Sequence, residues 1–162
     1  MLLLAPARDY SLVVLIAQIT DMHIRPEGVL AYGRIDTAPY LARAVQHLLG
    51  LKPRPDVVLA TGDLVDVGSA AEYGRLRALL APLPMPVYLI PGNHDDRDAL
   101  VAAFTDHRYL PRGGRFIQYV VEDFPVRLVA LDTLVPGKAG GVLCVWDPFA
   151  NPILTEQSGR IK

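Results

Sequence analysis

The sequence predicts an α/β domain in which a β-α-β-α-β unit forms a parallel sheet and a β-hairpin follows. Three apolar runs of strand length alternate with two amphipathic helix patterns. The composition is that of one globular domain, with 162 residues, 51% of them hydrophobic, and 16 Lys+Arg against 17 Asp+Glu. Apolar strands separated by helices are typical of a parallel sheet with helices packed against it.

Each apolar run ends at a polar cluster. The runs cover residues 12–17, 56–61 and 86–90. Their length and β-branched content predict fully buried strands, the first of them included. The clusters then follow the carboxyl ends of three parallel strands, and this edge of an open sheet is where ligands bind.

The segments between the runs carry helix signals. Residues 37–49 have one apolar stripe that Gly50 ends, and either Asp36 or Thr37 can cap it. A second helix opens at the capping box Ser69-Ala70-Ala71-Glu72, whose end residues can each bond to the other's backbone. The order along the chain is therefore strand, helix, strand, helix, strand.

Past the third run the pattern changes. A short helix is expected from Asp98, and two strand patterns at 115–121 and 126–132 flank a turn, which predicts a β-hairpin. Residues 136–162 are rich in Gly and Pro and show little periodicity. We expect loop or an irregular tail there.

The composition also indicates which kinds of partner and which cellular compartment to expect. The net charge is −1 and no Lys/Arg run occurs, which argues against a nucleic acid polymer as partner. No apolar stretch approaches the ~18 residues of a membrane span. The single Cys144 cannot form a bridge within the chain, so we expect a cytoplasmic protein.

The three polar clusters have the composition of a metal site. They are Asp21-Met22-His23, Gly62-Asp63-Leu64-Val65-Asp66 and Gly92-Asn93-His94-Asp95-Asp96. Carboxylate, imidazole and amide ligands together suit Mn²⁺, Fe²⁺ or Zn²⁺. Asp21 and His23 are two positions apart and point to the same side of an extended backbone, so both can bind one ion. Taken singly, each cluster is more often a turn or a helix cap; three at one edge of a sheet favour a metal site.

These motifs resemble those of the calcineurin-like metallophosphoesterase superfamily, and within it the class III cyclic-nucleotide phosphodiesterase and glycerophosphodiesterase branch. The supporting segments are residues 18–24, 60–65 and 87–96. The resemblance implies the N-terminal half of an α-β-β-α sandwich, with a partial metallophosphoesterase domain over residues 1–141 and an irregular tail over 142–162.

The resemblance also implies a role for each motif residue. Asp21 and His23 would bind a first divalent metal, Asp63 would bridge two metals, and Asn93 would bind the second. Two cations about 3.5–4 Å apart can clamp a phosphoryl group and activate the water that attacks it. The implied enzyme is a hydrolase that cleaves a cyclic nucleotide or a small glycerophosphodiester.

Three further residues complete the implied site. His94 would contact the phosphate or protonate the leaving oxygen, since an imidazole can exchange a proton near neutral pH. Asp95 would orient His94, and Asp66 would support the ligands from just outside them. Arg25, Arg34 and Tyr32 follow the first motif, where they could meet a substrate or form a solvated loop.

The chain also departs from the family pattern. The family completes its metal ligands with later histidines, whereas the four histidines here end at His107. His47 and His107 are interpreted as surface or packed side chains. The sequence therefore predicts a C-terminally truncated relative with an incomplete two-metal site.

Two other functions stay open. The chain could be a non-catalytic or weakly metal-binding partial domain that self-associates, for example as a homodimer, because unpaired strand edges favour association. It could also be a different phosphate-binding α/β protein that uses helix N-termini as anion sites.

Overall fold

The computed structural model describes residues 13–113 and 115–142, and the backbone of 143–145 and 153–155. In chain order the elements are β1 (Ile16–Thr20), α1 (Ala38–Gly50), β2 (Val57–Thr61), α2 (Ala70–Leu80), β3 (Val87–Ile90), α3 (Arg97–Ala103), β4 (Tyr119–Val121), β5 (Leu128–Ala130), β6 (Leu143–Val145) and β7 (Ile153–Thr155). The β-α-β-α-β order, the short third helix and the hairpin are as predicted.

The first three strands form a parallel sheet in the order β1-β2-β3. Its register pairs Thr20 with Thr61 and Thr61 with Ile90, so the three strands end level with one another. This common edge is the one that the sequence analysis assigned to the polar clusters.

The core lies mainly on one face of this sheet. Val58, Ala60 and Leu89 pack there against side chains of all three helices. These helix residues are Leu41, Val45 and Leu48 of α1, Tyr73, Leu76 and Leu80 of α2, and Leu100 of α3. On the other face, Val57 and Tyr88 pack beneath the antiparallel β4–β5 hairpin.

The prediction of a fully buried first strand is wrong. Leu12 lies outside the described residues, β1 begins at Ile16, and its residues alternate between exposed and half-buried. β1 lies at an edge of the sheet, and the β4–β5 hairpin covers Val57 of β2 and Tyr88 of β3, so these two strands are the well-buried ones.

The predicted start of α2 is confirmed, and at the start of α1 it is the other candidate, Asp36, that accepts from the Ala38 amide at 3.2 Å. The capping box is formed, since Ser69 accepts from the Glu72 amide and Glu72 accepts from the Ser69 amide. Thr37 precedes α1, but its hydroxyl donates to the His23 carbonyl at 2.9 Å and makes no cap to its own helix. Gly50 is the last residue of α1 and lies inside the helix.

The range expected to be an irregular tail, residues 142–162, contains the antiparallel pair β6–β7. For those six residues the expectation of irregular structure is wrong. The division of the chain at residue 141 stays a prediction.

Candidate metal centre

The first two motifs run side by side beyond the strand ends. The amide of Asp21 donates to the Gly62 carbonyl at 3.2 Å, and that of His23 donates to the Asp63 carbonyl at 2.9 Å. Asp21, His23 and Asp63 all have a positive φ, of 54°, 42° and 44°. Residues other than glycine rarely adopt this left-handed conformation, and where they do it clusters at functional sites.

The third motif approaches the second so closely that only glycine fits. A Cβ atom at Gly92 would lie 2.2 Å from the Asp63 amide nitrogen and 2.3 Å from its Oδ1. The same Oδ1 accepts a hydrogen bond from the His94 amide at 3.1 Å. The carboxylate of Asp63 is therefore held between the second and third motifs.

The ligand atoms of Asp21, His23 and Asp63 lie within 4.8 Å of one another. Nε2 of His23 is 3.7 Å from Oδ2 of Asp63. Asn93 lies beside them, because it lines the same cavity of about 190 Å³ as Asp21 and Asp63. The structure thus brings together the four residues that the resemblance implied as metal ligands.

His23 also belongs to a second group with Asp66 and His94, whose ligand atoms again lie within 4.8 Å of one another. Nδ1 of His23 is 3.3 Å from Oδ1 of Asp66, and the rings of His23 and His94 meet edge to face at 4.7 Å. This Oδ1 is buried and has no hydrogen-bond partner among the residues that the structure describes. The two nitrogens of His23 therefore face two different carboxylates.

Asp66 is linked to the interior through Arg25. Its Oδ2 lies 3.5 Å from Nε of Arg25, and Arg25 donates from Nη1 to the fully buried Glu72 at 2.8 Å. The suggestion that Arg25 meets a substrate is therefore not supported, because Glu72 and Asp66 engage its guanidinium. Sequence analysis recognised Glu72 as a helix cap and missed this second partner, for which the local pattern holds no signal.

His94 and Asp95 do not pair as expected. Nδ1 of His94 lies 2.7 Å from the carbonyl oxygen of Asp66. Asp95 is instead 7% exposed and accepts from the amides of Leu64 and Gly92 at 3.0 and 2.8 Å. This corrects the expected contact between Asp95 and the imidazole, because Asp95 organises the loop backbone and Asp66 meets the ring.

Tyr32 is the flanking residue that reaches the site. Its hydroxyl lies 3.3 Å from both ring nitrogens of His23, and its side chain is largely exposed. Partial burial and the charges of Asp66, Asp63 and Asp21 raise the pKa of Tyr32. Arg34 is exposed in the same loop.

The two other histidines lie outside both groups, as expected. His47 is exposed on α1, and His107 contacts the Tyr109 hydroxyl at 2.9 Å. Within the described ranges, no helix is both long and apolar enough to cross a bilayer.

Comparison with known proteins agrees with this geometry. The calcineurin-like phosphoesterase family matches residues 14–156. A probable glycerophosphodiester phosphodiesterase of Arcobacter nitrofigilis is 36% identical over 130 residues, which are 80% of this chain and 47% of the relative. These findings confirm the resemblance that the three motifs indicated.

Other relatives are named for cyclic nucleotides. A 3′,5′-cyclic adenosine monophosphate phosphodiesterase of Pseudomonas aeruginosa is 36% identical over 138 residues, covering 85% of this chain and 47% of the relative. A cAMP/cGMP dual specificity phosphodiesterase of Mycobacterium tuberculosis is 33% identical over 140 residues, covering 84% and 42%. The chain therefore spans less than half the length of these relatives.

Proposed function

Because the chain belongs to the calcineurin-like phosphoesterase family, we propose that it carries the N-terminal part of a metal-dependent phosphodiesterase site. The reaction is the hydrolysis of a small phosphodiester, either a cyclic nucleotide or a glycerophosphodiester. The observation that supports this most strongly is the convergence of Asp21, His23 and Asp63 at one edge of the sheet. The proposal includes both substrate classes because one relative is named for glycerophosphodiesters and another for a cyclic nucleotide.

The donor set fits divalent metal ions of intermediate hardness. Asp21 and His23 would bind a first ion and Asn93 a second ion, and Asp63 would bind to both ions. The ions would supply charge neutralisation at the phosphoryl group and activation of the attacking water. Mn²⁺, Fe²⁺ and Zn²⁺ all suit these ligands.

Asp66 supports this assignment through the ring of His23. Oδ1 of Asp66 approaches Nδ1 to 3.3 Å without a formed hydrogen bond; its negative charge favours the tautomer with hydrogen on that nitrogen, and metal-binding histidines commonly have a carboxylate there. Nε2, which faces Asp63 at 3.7 Å, is then free to act as a ligand. In this proposal Asp66 is a positioning residue.

His94 is suited to proton transfer at the leaving oxygen. The Asp66 carbonyl can only accept a hydrogen bond, so Nδ1 of His94 carries the hydrogen in this 2.7 Å contact. Nε2 is then the nitrogen that exchanges a proton with the leaving group. The His94 side chain is 29% exposed, which leaves it accessible to a substrate.

The experiment is a measurement of bound metal after loading the purified chain with Mn²⁺. We expect retained Mn²⁺ in the wild type, loss of it in Asp63→Ala, and no loss in Asp106→Ala, which removes an exposed carboxylate that pairs with Arg77. Hydrolysis of bis(p-nitrophenyl) phosphate, followed by cAMP and a glycerophosphodiester, then tests the activity. Equal Mn²⁺ contents in the wild type and Asp63→Ala would contradict the proposal.

A second candidate is a partial domain that self-associates without catalysis. The observation in its favour is β1, which lies at the edge of the sheet among the described residues; its first residue Ile16 and the preceding Leu15 are 38% and 39% exposed. Unpaired strand edges can associate with a second chain. Sedimentation of the purified chain distinguishes the two, since a dimer without retained Mn²⁺ favours this candidate. For either candidate the cytoplasm is the proposed compartment.

A further inference from the structure

The candidate metal centre is bounded on one side by a loop that carries no metal ligand. This loop, residues 133–141, follows the hairpin and contains three glycines. Its residues Thr133, Leu134 and Gly140 line the same cavity of about 190 Å³ as Asp21, Asp63 and Asn93. The loop therefore bounds the space beside the ligands.

The loop also bounds a larger space next to the expected proton donor. Leu134, Pro136 and Gly137 line a cavity of about 600 Å³ that His94 and Asn93 border on another side. A displacement of this loop would change both cavities together.

The loop is anchored by a fully buried carboxylate, that of Asp132. Its Oδ1 accepts from the Leu134 amide at 3.0 Å, and its Oδ2 accepts from the Ile117 amide at 2.7 Å. Arg97 completes the set, because its Nε and Nη2 donate to the two oxygens at 2.6 and 2.7 Å. Four donors thus surround the two oxygens of a carboxylate that has no access to water.

Arg97 also holds the loop directly. Its Nη2 donates to the Leu134 carbonyl at 2.6 Å. Arg97 is the first residue of α3, whose cap is Asp96, so it follows closely after the metal-site residues Asn93 and His94. The guanidinium therefore joins the start of α3, directly after the third motif, to the loop.

We propose that Arg97 and Asp132 are positioning residues that set the 133–141 loop against the third motif and so fix the shape of the metal centre. This inference rests on the proposed function. The fork of a guanidinium matches a carboxylate in two parallel hydrogen bonds, and the ammonium of lysine cannot reproduce that geometry. Arg97→Lys keeps the charge and removes the fork.

The far end of the loop is tied to its near end, at Thr133, by contacts that do not involve Arg97. The amide of Val142 donates to the Thr133 carbonyl at 2.8 Å, and a Cβ atom at Gly141 would lie 2.7 Å from Oγ1 of Thr133. A weakened Arg97–Asp132 pair is therefore expected to loosen the loop without releasing it from the domain.

The test compares Arg97→Lys and Asp132→Asn with the matched control Arg77→Lys. Arg77 also donates to a backbone carbonyl and a carboxylate, those of Ala103 and Asp106, both at 2.7 Å, but it lies on α2 away from the loop. The two readouts are Mn²⁺ affinity and the hydrogen-exchange rates of the loop amides. Thermal unfolding of each variant shows whether it is folded.

We expect Arg97→Lys to lower Mn²⁺ affinity about 10-fold or more, the usual effect of losing support outside the ligands. The amide of Leu134, which donates to Asp132, should exchange faster, and Arg77→Lys should change neither readout. Asp132→Asn, which keeps the size of the side chain, should also lower Mn²⁺ affinity and speed up loop exchange. It replaces Arg97→Lys as the test if that variant does not fold.

Two results would overturn the inference. One is wild-type Mn²⁺ affinity and wild-type loop exchange in a folded Arg97→Lys, and the other is an equal loss in Arg97→Lys and Arg77→Lys. A wild-type chain that binds no Mn²⁺ contradicts the proposed function instead. The loop exchange rates then decide the inference alone, and equal rates in the wild type and Arg97→Lys overturn it.

Discussion

The hydroxyl of Tyr73 donates a 2.8 Å hydrogen bond to Oδ1 of Asp95, which joins the second helix to the loop after the third strand. Both side chains are buried, Tyr73 completely. The other carboxylate oxygen accepts from the Leu64 and Gly92 amides, so one acid connects three segments around the metal centre. Burial raises the pKa of Asp95, although these hydrogen bonds partly counter it.

Asp95→Ala is expected to destabilise the domain strongly. It leaves the Leu64 and Gly92 amides without their acceptor and the Tyr73 hydroxyl with only the longer contact to the Asp96 carbonyl at 3.3 Å, which together should cost about 3 kcal/mol or more. Tyr73→Phe removes the bond to Asp95 and also the acceptor of the Asp96 amide, so it should cost about 1–2 kcal/mol, less than Asp95→Ala. Urea unfolding followed by circular dichroism gives both values. Similar values for the two variants would show that Asp95 is not the shared acceptor.

Gly92→Ala is expected to disrupt the metal centre directly. A methyl group at position 92 would lie 2.2 Å from the Asp63 amide nitrogen, so the Asp63 segment must move. We expect a loss of stability of about 2 kcal/mol or more together with loss of Mn²⁺ binding.

Gly74→Ala is the matched control. Gly74 lies within α2, and nothing would lie within 4 Å of an added Cβ atom. Because alanine favours a helix over glycine, this variant should gain about 0.5–1 kcal/mol and keep its Mn²⁺. Retention of Mn²⁺ by Gly92→Ala would contradict the close approach of the two motifs.

The sequence predicts well where its signals are local. Runs of apolar residues locate β2 and β3 within one residue, and the Ser69–Glu72 capping box begins the second helix where expected. The exposure of β1 could not be predicted, because it depends on which strands the distant β4–β5 hairpin covers. The partners of Asp66 and Asp95 could not be predicted either. The Asp66 carbonyl contacts His94 and the Asp95 carboxylate accepts from Leu64, and in each pair the residues are 28 or more positions apart in the sequence.

The two residues of the capping box, Ser69 and Glu72, should contribute unequally to the free energy of unfolding. Ser69→Ala removes one cap to the Glu72 amide and should cost about 1 kcal/mol. Glu72→Ala also removes the buried partner of Arg25 and the acceptor for the Val67 and Ser69 amides. Breaking such a buried pair typically costs about 3–5 kcal/mol.

These two variants also separate stability from the metal centre. Because Arg25 contacts Asp66, we expect Glu72→Ala to weaken Mn²⁺ binding and Ser69→Ala to leave it unchanged. Titration of each variant with Mn²⁺ measures this. Unchanged affinity in a folded Glu72→Ala would show that Arg25 does not transmit the effect to Asp66.

Acid is expected to destabilise the domain partly through His107. Burial lowers the pKa of His107 below its ordinary value of 6.5, and Arg77 acts in the same direction, whereas Asp106 opposes it. Between the lowered pKa and 6.5, the unfolded chain therefore holds more protons than the folded one. Stability rises with pH through this window and is lost as the pH falls from 6.5 towards the lowered value.

His107→Gln should remove this contribution. Its side chain can still donate a hydrogen bond to the Tyr109 hydroxyl, which in turn donates to the Val87 carbonyl at 3.0 Å. Urea midpoints measured from about pH 5 to about pH 8 should therefore fall less steeply towards acid in the variant than in the wild type. The other histidines are common to both chains, so the difference between the two curves isolates His107, and parallel curves would assign the acid sensitivity to other groups.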